Sequence, residues 1–355
     1  MKSNRISKLL AAIEKSRLDG FLVSSPHNRR YFSGFSGSSG MLIISQEVSS
    51  ISTDFRYWEQ AAGEAPGFTL FRAEKGLKEW FSDFVKQTGV QRLGFESGDI
   101  TAGLLNTMRL ALRKSGIKTR LLPAGNLCGK IRMVKDDDEI ALIKRAVSIS
   151  DAAAEYARRI VRPGMSEIEL AWEVESHMRK NGSEPIAFPV ICASGANSAL
   201  PHAKPTQRLI NSQEPIVLDF GACVCGYTSD ITRTIPCGEP DSRFEKLYNI
   251  VLSAQQAAIE GIRSGMKARD ADSIARSVIS NAGYGKYFGH SLGHGIGLEV
   301  HERPFLGPAS EDTLEEGMVF TIEPGIYLPG WGGIRIEDDV LLENNQVVLL
   351  SKATK

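Results

Sequence analysis

Apolar residues recur at helical spacing over residues 6–16, 74–87 and 101–115, and short apolar runs occupy residues 20–24 and 41–45. Side chains three or four positions apart share a helix face, whereas short apolar runs between polar stretches suit strands. Short strands separated by helices predict an α/β layer domain over about the first 125 residues. A turn-rich stretch, residues 121–129 with Pro123, Gly125 and Gly129, marks the expected boundary between domains 1–126 and 127–355. Beyond it, residues 136–161 predict one long amphipathic helix. Its opening acids, Asp136, Asp137, Asp138 and Glu139, suit the positive end of a helix dipole.

The pattern then repeats. Arg162-Pro163-Gly164-Met165 returns as Arg263-Ser264-Gly265-Met266, an offset of 101 residues, and the helices predicted after each end at Asn181-Gly182 and Ala282-Gly283 without a gap. Ser166 and Glu169 have the spacing of a capping box. Strand-like stretches follow each helix, at residues 185–193 and 215–235 in one half and 317–322 and 333–342 in the other. The period is that of a half-domain, not of a solenoid unit. Two similar α+β halves facing each other leave a cleft at their pseudo-twofold axis, which is where a site is expected.

Composition narrows the class without naming a partner. With 355 residues, 42% of them apolar, the chain can bury a core in two domains. Lys plus Arg and Asp plus Glu both number 42, so neither a nucleic-acid binder's basic excess nor a polyanion's acidic one is present. The five cysteines include no C-x-x-C pair, which argues against a disulfide framework or a thiolate zinc cage and for thiols in a reducing compartment. The first apolar run, residues 9–13, is too short for a signal segment, and no run approaches the 20 or so residues of a membrane span. A cytoplasmic protein is expected, with no nucleic-acid or membrane partner.

Carboxylates in unusual settings carry the chemistry. Asp219 ends the apolar run Ile216-Val217-Leu218, and Asp230 is expected in the next strand across a turn at Gly226-Tyr227, facing it. Glu323 ends the run Met318-Val319-Phe320-Thr321-Ile322. Glu337 shares a strand face with Arg335, because side chains alternate with period two. His294 lies among Gly293, Gly295 and Gly297, which let backbone and ligand come close. Taken singly each has a plain structural explanation: a strand-end cap, an Arg335 pair, a core histidine. Together, buried carboxylates from two halves would repel unless a divalent cation lay between them. An oxygen-rich set with one imidazole suits Mn, Co, Fe or Zn, and two ions about 3.5 Å apart would hold a hydroxide poised as nucleophile.

The stretches Leu218-Asp219-Phe220-Gly221, Thr228-Ser229-Asp230-Ile231-Thr232-Arg233-Thr234, His290-Ser291-Leu292-Gly293-His294-Gly295-Ile296-Gly297, Glu323-Pro324-Gly325-Ile326-Tyr327 and Gly333-Ile334-Arg335-Ile336-Glu337-Asp338 resemble, in order, the pita-bread metallopeptidases. The likeness is to Xaa-Pro aminopeptidases and Xaa-Pro dipeptidases (prolidases), and residues 34–40 and 53–57 are similar to the family's N-terminal domain. The resemblance implies a catalytic pita-bread domain with a pseudo-twofold repeat behind a smaller α/β creatinase-type domain. It implies Asp219, Asp230, His294, Glu323 and Glu337 as ligands of two divalent ions, manganese foremost, with Asp230 and Glu337 bridging. It further implies Glu323 as general acid/base, His202 and His301 at the scissile carbonyl, His290 on the proline pocket, and Tyr327 and Arg335 as a steadying pair.

Phe188, Tyr327 and Trp331 are candidates for the apolar pocket wall. Residues 53–58 and 37–40 look more like an Xaa-Pro aminopeptidase, with the dipeptidase as the alternative. A dipeptidase must hold its substrate's carboxylate, and Arg29, Arg30 and Arg56 are the candidates. A catalytically silent binding module, a creatinase-like amidinohydrolase and a methionine aminopeptidase are the other readings. Loss of ligands would mark the first two and lack of the N-terminal domain the third; none of these holds here. The resemblance also implies a homodimer.

Overall fold

The computed structural model describes residues 2–355 and divides into two compact units, one ending at Ile131 and the other spanning Arg132–Lys355. The division falls inside the helix Leu127–Arg132, a few residues beyond the expected 126/127. Residues 120–123, within and beside the turn-rich stretch, form a strand paired in parallel with Arg92–Phe95.

The first unit is built on a six-stranded mixed sheet in the order Thr69–Arg72, Ser49–Thr53, Met41–Ser45, Gly20–Val23, Arg92–Phe95, Arg120–Pro123. The three expected helices appear as Lys2–Lys15, Leu77–Lys86 and Ala102–Lys114, the last capped by Thr101, whose Oγ1 accepts from the Leu104 N–H. Ser49–Thr53 carries a single large apolar residue, Ile51, yet pairs on both sides and buries Ser50 and Ser52. Small hydroxyls fit between strands without producing a hydrophobic run. Among the described residues, no helix of the chain is long and apolar enough to cross a membrane.

The second unit begins with the helix Asp137–Ile160, opened by a full capping box between Asp136 and Glu139. The repeat is present in three dimensions. Gly164 and Gly265 take the same left-handed conformation (φ 85° and 83°), and each starts an equivalent pair of hydrogen bonds: Gly164 N–H to Ile210 O and Ile210 N–H to Met165 O, against Gly265 N–H to Leu314 O and Leu314 N–H to Met266 O. The helices that follow, Glu167–Lys180 and Ala268–Asn281, have 14 residues each. Only the first has the Ser166–Glu169 box; Lys267 caps the second with no side-chain bond.

Each half has its own sheet and core. The first sheet runs Ile231–Pro236, Pro215–Phe220, Ile191–Ser194, around Leu170, Val174, Leu218 and Phe220. The second has five strands, Glu302–Leu306, Gly293–Gly295, Val319–Ile322, Asp338–Glu343 and Gln346–Leu349, around Leu247, Leu292, Phe320 and Ile336. Burying each such side chain stabilises by about 1.5–3 kcal/mol. Of the strand expected over residues 185–193, only Ile191–Ser194 forms; Pro185 and Pro189 have no N–H to give a ladder. The halves are joined along a polar seam. Glu337 N–H donates to Thr232 O, and Arg335 N–H to Thr234 Oγ1.

Candidate metal centre

Asp219 lies on the central strand Pro215–Phe220, opposite Thr232 on one side and Ile191 on the other. Asp230 is not within a strand, as expected from sequence, but in the break just before Ile231–Pro236. Its N–H donates to Asp339 Oδ2 at 2.9 Å instead of to a ladder partner. Gly221 makes this possible: a Cβ there would sit 1.9 Å from Ser229 O, so only glycine lets the two segments close together. Gly293 does the same in the other half, where a Cβ would meet Thr321 O at 2.0 Å. This glycine admits the neighbouring strand and also lines the cavity described below. His294 N–H then donates to Thr321 Oγ1.

Glu323 follows the strand Val319–Ile322, its N–H held by Leu292 O. Glu337 lies between the strands Gly332–Arg335 and Asp338–Glu343, with Oε2 accepting from Thr232 Oγ1 at 2.5 Å. Asp230, His294 and Glu337 each present a ligand atom within 4.8 Å of the others. His294 Nε2 is 3.6 Å from Asp230 Oδ2 and 3.5 Å from Glu323 Oε1. Asp219 joins from the far side, where its Oδ2 accepts from Arg335 Nη2 at 2.5 Å.

The electrostatics are those of a site short of positive charge. Burial, and then the charge of Glu337, Asp219, Asp339 and Glu323, pushes Asp230 well above the usual carboxylate range. Glu323 is raised well above it too, by burial and then Glu337. Burial and the charge of Asp219 bring Glu337 to about 8. His294 is lowered to about 3 by burial and by His301, so its imidazole is neutral, the form that binds metals. Asp219 Oδ1 and Asp230 Oδ1 are buried with no hydrogen-bond partner among the described residues. Unpaired anionic oxygens in a dry site are costly. Four carboxylates, one neutral imidazole and two orphaned oxygens fit divalent cations, and these five residues would hold them.

The cluster opens on a cavity of about 740 Å³. His202, His290 and His301 line it, and the His301 ring packs on His294 with centroids 4.2 Å apart. His290 Nδ1 faces Ser291 O at 2.8 Å and therefore carries the proton; Nε2 accepts from Tyr327 OH at 2.9 Å. Burial lowers His290 to about 4, consistent with that neutral form. Arg335 Nη1 donates to Tyr327 OH at 3.0 Å, so the expected Tyr327–Arg335 pair forms behind the cavity. Phe188 lines the wall as expected, but Tyr327 and Trp331 do not; the Trp331 ring lies under the Arg243 guanidinium, 4.9 Å from the centroid. Sequence reasoning missed Val300 and Phe305 on the wall and Lys204 at the cavity. It also missed Arg233, fully buried and donating to Glu337 O and to Asp338 Oδ1.

A family model described as metallopeptidase family M24 matches residues 141–344, and one described as the creatinase/prolidase N-terminal domain matches residues 5–134. The chain belongs to metallopeptidase family M24. This M24 enzyme is 42% identical to a solved Xaa-Pro dipeptidase from Bacillus anthracis, covering 100% of this chain and 99% of that one with a TM-score of 0.95. It is 38% identical to the Xaa-Pro dipeptidase of Pyrococcus horikoshii over 99% of this chain and 98% of that protein. An X-Pro aminopeptidase from Thermotoga maritima is 37% identical, with 98% of each chain covered and a TM-score of 0.88. The pita-bread fold following a creatinase-type domain is thus the fold of this metallopeptidase, and membership of a metallopeptidase family implies the use of divalent metal.

Proposed function

We propose that the chain is an Xaa-Pro dipeptidase, a prolidase that hydrolyses the bond joining a first residue to a C-terminal proline. The observation that carries this reading is a five-donor acidic centre opening on an apolar cavity that also presents a cation. Ile191, Val300, Phe188 and Phe305 give walls suited to a pyrrolidine ring, and Lys204 is suited to the dipeptide's carboxylate. The arginines considered from sequence are less suited. Arg29 is spent on Gly37 O and Gly40 O and Arg56 on Asp54, and none of the three, Arg30 included, lines the cavity. The dipeptidases among the relatives weigh the same way, and the aminopeptidase reading drawn from residues 37–40 and 53–58 becomes the second choice.

A bond preceding proline is a tertiary amide with no N–H, so the enzyme must grip the carbonyl rather than the amide. Divalent ions held by Asp219, Asp230, His294, Glu323 and Glu337 would supply Lewis acidity toward that carbonyl and acidify water. The remaining work falls to side chains. Glu323 takes the proton of the attacking water and returns it to the proline nitrogen as the C–N bond breaks. His301 and His202 donate hydrogen bonds to the developing oxyanion. His290, fixed by Tyr327 and Ser291, lines the cavity beside the substrate, and Arg335 steadies Asp219 and Tyr327.

Metal-loaded enzyme is expected to cleave Gly-Pro and Ala-Pro and to leave Ala-Pro-Ala-Ala intact, with Asp230→Ala inactive on all three. Cleavage of the tetrapeptide would restore the aminopeptidase reading. Cytoplasmic location and a homodimer belong to the same proposal; a monomer by light scattering at micromolar concentration would remove the latter.

A further inference from the structure

His202 is exposed, and among the described residues its side chain makes no hydrogen bond of its own. Its place at the cavity is therefore set by its backbone. That backbone belongs to residues 194–206, which leave the strand Ile191–Ser194, pass through the short 3-10 turn Gly195–Ala199, and return past Pro205. Six contacts tie this segment to one side chain, Glu167, which is wholly buried at the first position of the helix Glu167–Lys180. Ser194 N–H (2.8 Å) and Ser194 Oγ (2.9 Å) donate to Oε1 at the start of the segment. Thr206 N–H (3.0 Å) and Thr206 Oγ1 (2.6 Å) donate to Oε2 at its end. Asn197 Nδ2 reaches both oxygens, at 3.1 and 3.3 Å, from the middle.

All these donors are neutral. The nearest cation, Arg208, is one hydroxyl away: its Nη1 donates to Ser194 Oγ at 2.6 Å. The positive end of the helix that starts at Glu167 supplies the rest of the compensation for a buried anion. A helix N-terminus needs no such arrangement, because Ser166 and Glu169 already cap this one. What the six contacts fix is the loop, closed at both ends on one rigid carboxylate. A second tether lies beside the histidine itself, where Pro201 O accepts from Arg335 Nη1 at 3.2 Å.

We propose that Glu167 is a positioning residue for His202, holding the loop of residues 194–206 so that the imidazole meets the scissile carbonyl. The proposal rests on the reading of His202 as a carbonyl-side donor. Misplacing such a donor by about 1 Å can lower a rate on the order of 100-fold.

The test is a double-mutant cycle on metal-loaded enzyme with Ala-Pro, using Glu167→Gln, His202→Ala and the pair, beside Mn²⁺ titration calorimetry of each. Glu167→Gln is expected to lower kcat by about 10- to 100-fold, to leave Mn²⁺ affinity unchanged, and to add nothing in the His202→Ala background. Amide hydrogen exchange is expected to quicken over residues 195–206 while the strands bearing the ligands stay protected. Thr206→Val, which removes one donor and keeps the carboxylate, should shift kcat in the same direction by less, and it serves if the glutamine variant does not fold. A loss that multiplies with that of His202→Ala, or Mn²⁺ affinity falling in step with kcat, overturns the proposal and makes Glu167 a general scaffold residue. Full activity in His202→Ala overturns the role of His202 first and that of Glu167 with it.

Discussion

The two halves of the catalytic unit share a backbone frame and differ in how each holds the histidine it brings to the cavity. In the first half, the His202 loop hangs on Glu167 through neutral donors. In the second, the residue after His301 is Glu302, buried between two cations: Arg132 pairs with it through Nη2, and Lys135 Nζ lies 2.8 Å away. Burial acts to raise Glu302, but Lys135 and Arg132 outweigh it and hold the carboxyl below its ordinary range. The repeat has kept φ angles, helix lengths and turn hydrogen bonds while the electrostatics diverged. A neutral clamp and an ionic clamp of similar burial should therefore fail differently.

The largest expected effect treats the halves alike. Asp230→Ala removes a proposed ligand from the first and Glu337→Ala one from the second, and each should abolish tight Mn²⁺ binding. Each should also lower kcat/KM on Ala-Pro on the order of 10³-fold or more, beyond the loss of one positioned donor. Calorimetry and rates on both variants check this, and a half whose ligand proved dispensable would break the symmetry of the site.

Next in size, Glu302→Gln leaves buried Lys135 without a counter-ion, while Arg132 keeps Glu299, and should destabilise by about 3 kcal/mol. Glu167→Gln loses charge-assisted hydrogen bonds and should cost about 1.5–3 kcal/mol. Urea midpoints measured side by side rank the two clamps, and equal shifts would erase the distinction.

A third effect separates the metal-free from the loaded protein. Glu337 has an ordinary value of 4.5 and rises to about 8 in the fold, so the folded protein without metal binds this proton more tightly than the unfolded chain does. Its contribution to stability is complete below pH 4.5 and is lost as pH climbs to about 8. The melting temperature of metal-free enzyme should fall across that window, and saturating Mn²⁺ should flatten the slope. The smallest effect is at the rim: Lys204→Ala should raise KM for dipeptides by a factor of about 5 or less, with kcat unchanged, as suits an exposed charge worth ~1 kcal/mol.

That Asp230, His294, Glu323 and Glu337 would cluster was legible in the sequence because acids at the ends of apolar strands are rare and here recur in both halves, and the 101-residue offset exposed the frame. What supports them was not. Asp339, which accepts the Asp230 N–H, and Glu167 do not stand out in the sequence, since nothing in a linear pattern distinguishes a carboxylate that collects donors from distant segments. Ser49–Thr53 is hard to see because all its buried residues but Ile51 are hydroxylic, and Trp331, an aromatic near strands, packs against Arg243 instead of the pocket. Alternation placed Arg335 and Glu337 on one face, and both do meet Thr232, although the strand itself ends between them.

Asp219 and Asp230 come from one half, and His294, Glu323 and Glu337 from the other, with separate apolar cores on either side of the polar seam. A hydrolase arranged in this way is inert in pieces. If these five residues hold the metal, neither half alone has the full set of donors, and a half-folded chain is expected to carry no peptide-cleaving activity. Metal uptake then becomes a readout of completed assembly, and two separately expressed halves mixed with Mn²⁺ would announce their reunion by the heat of binding.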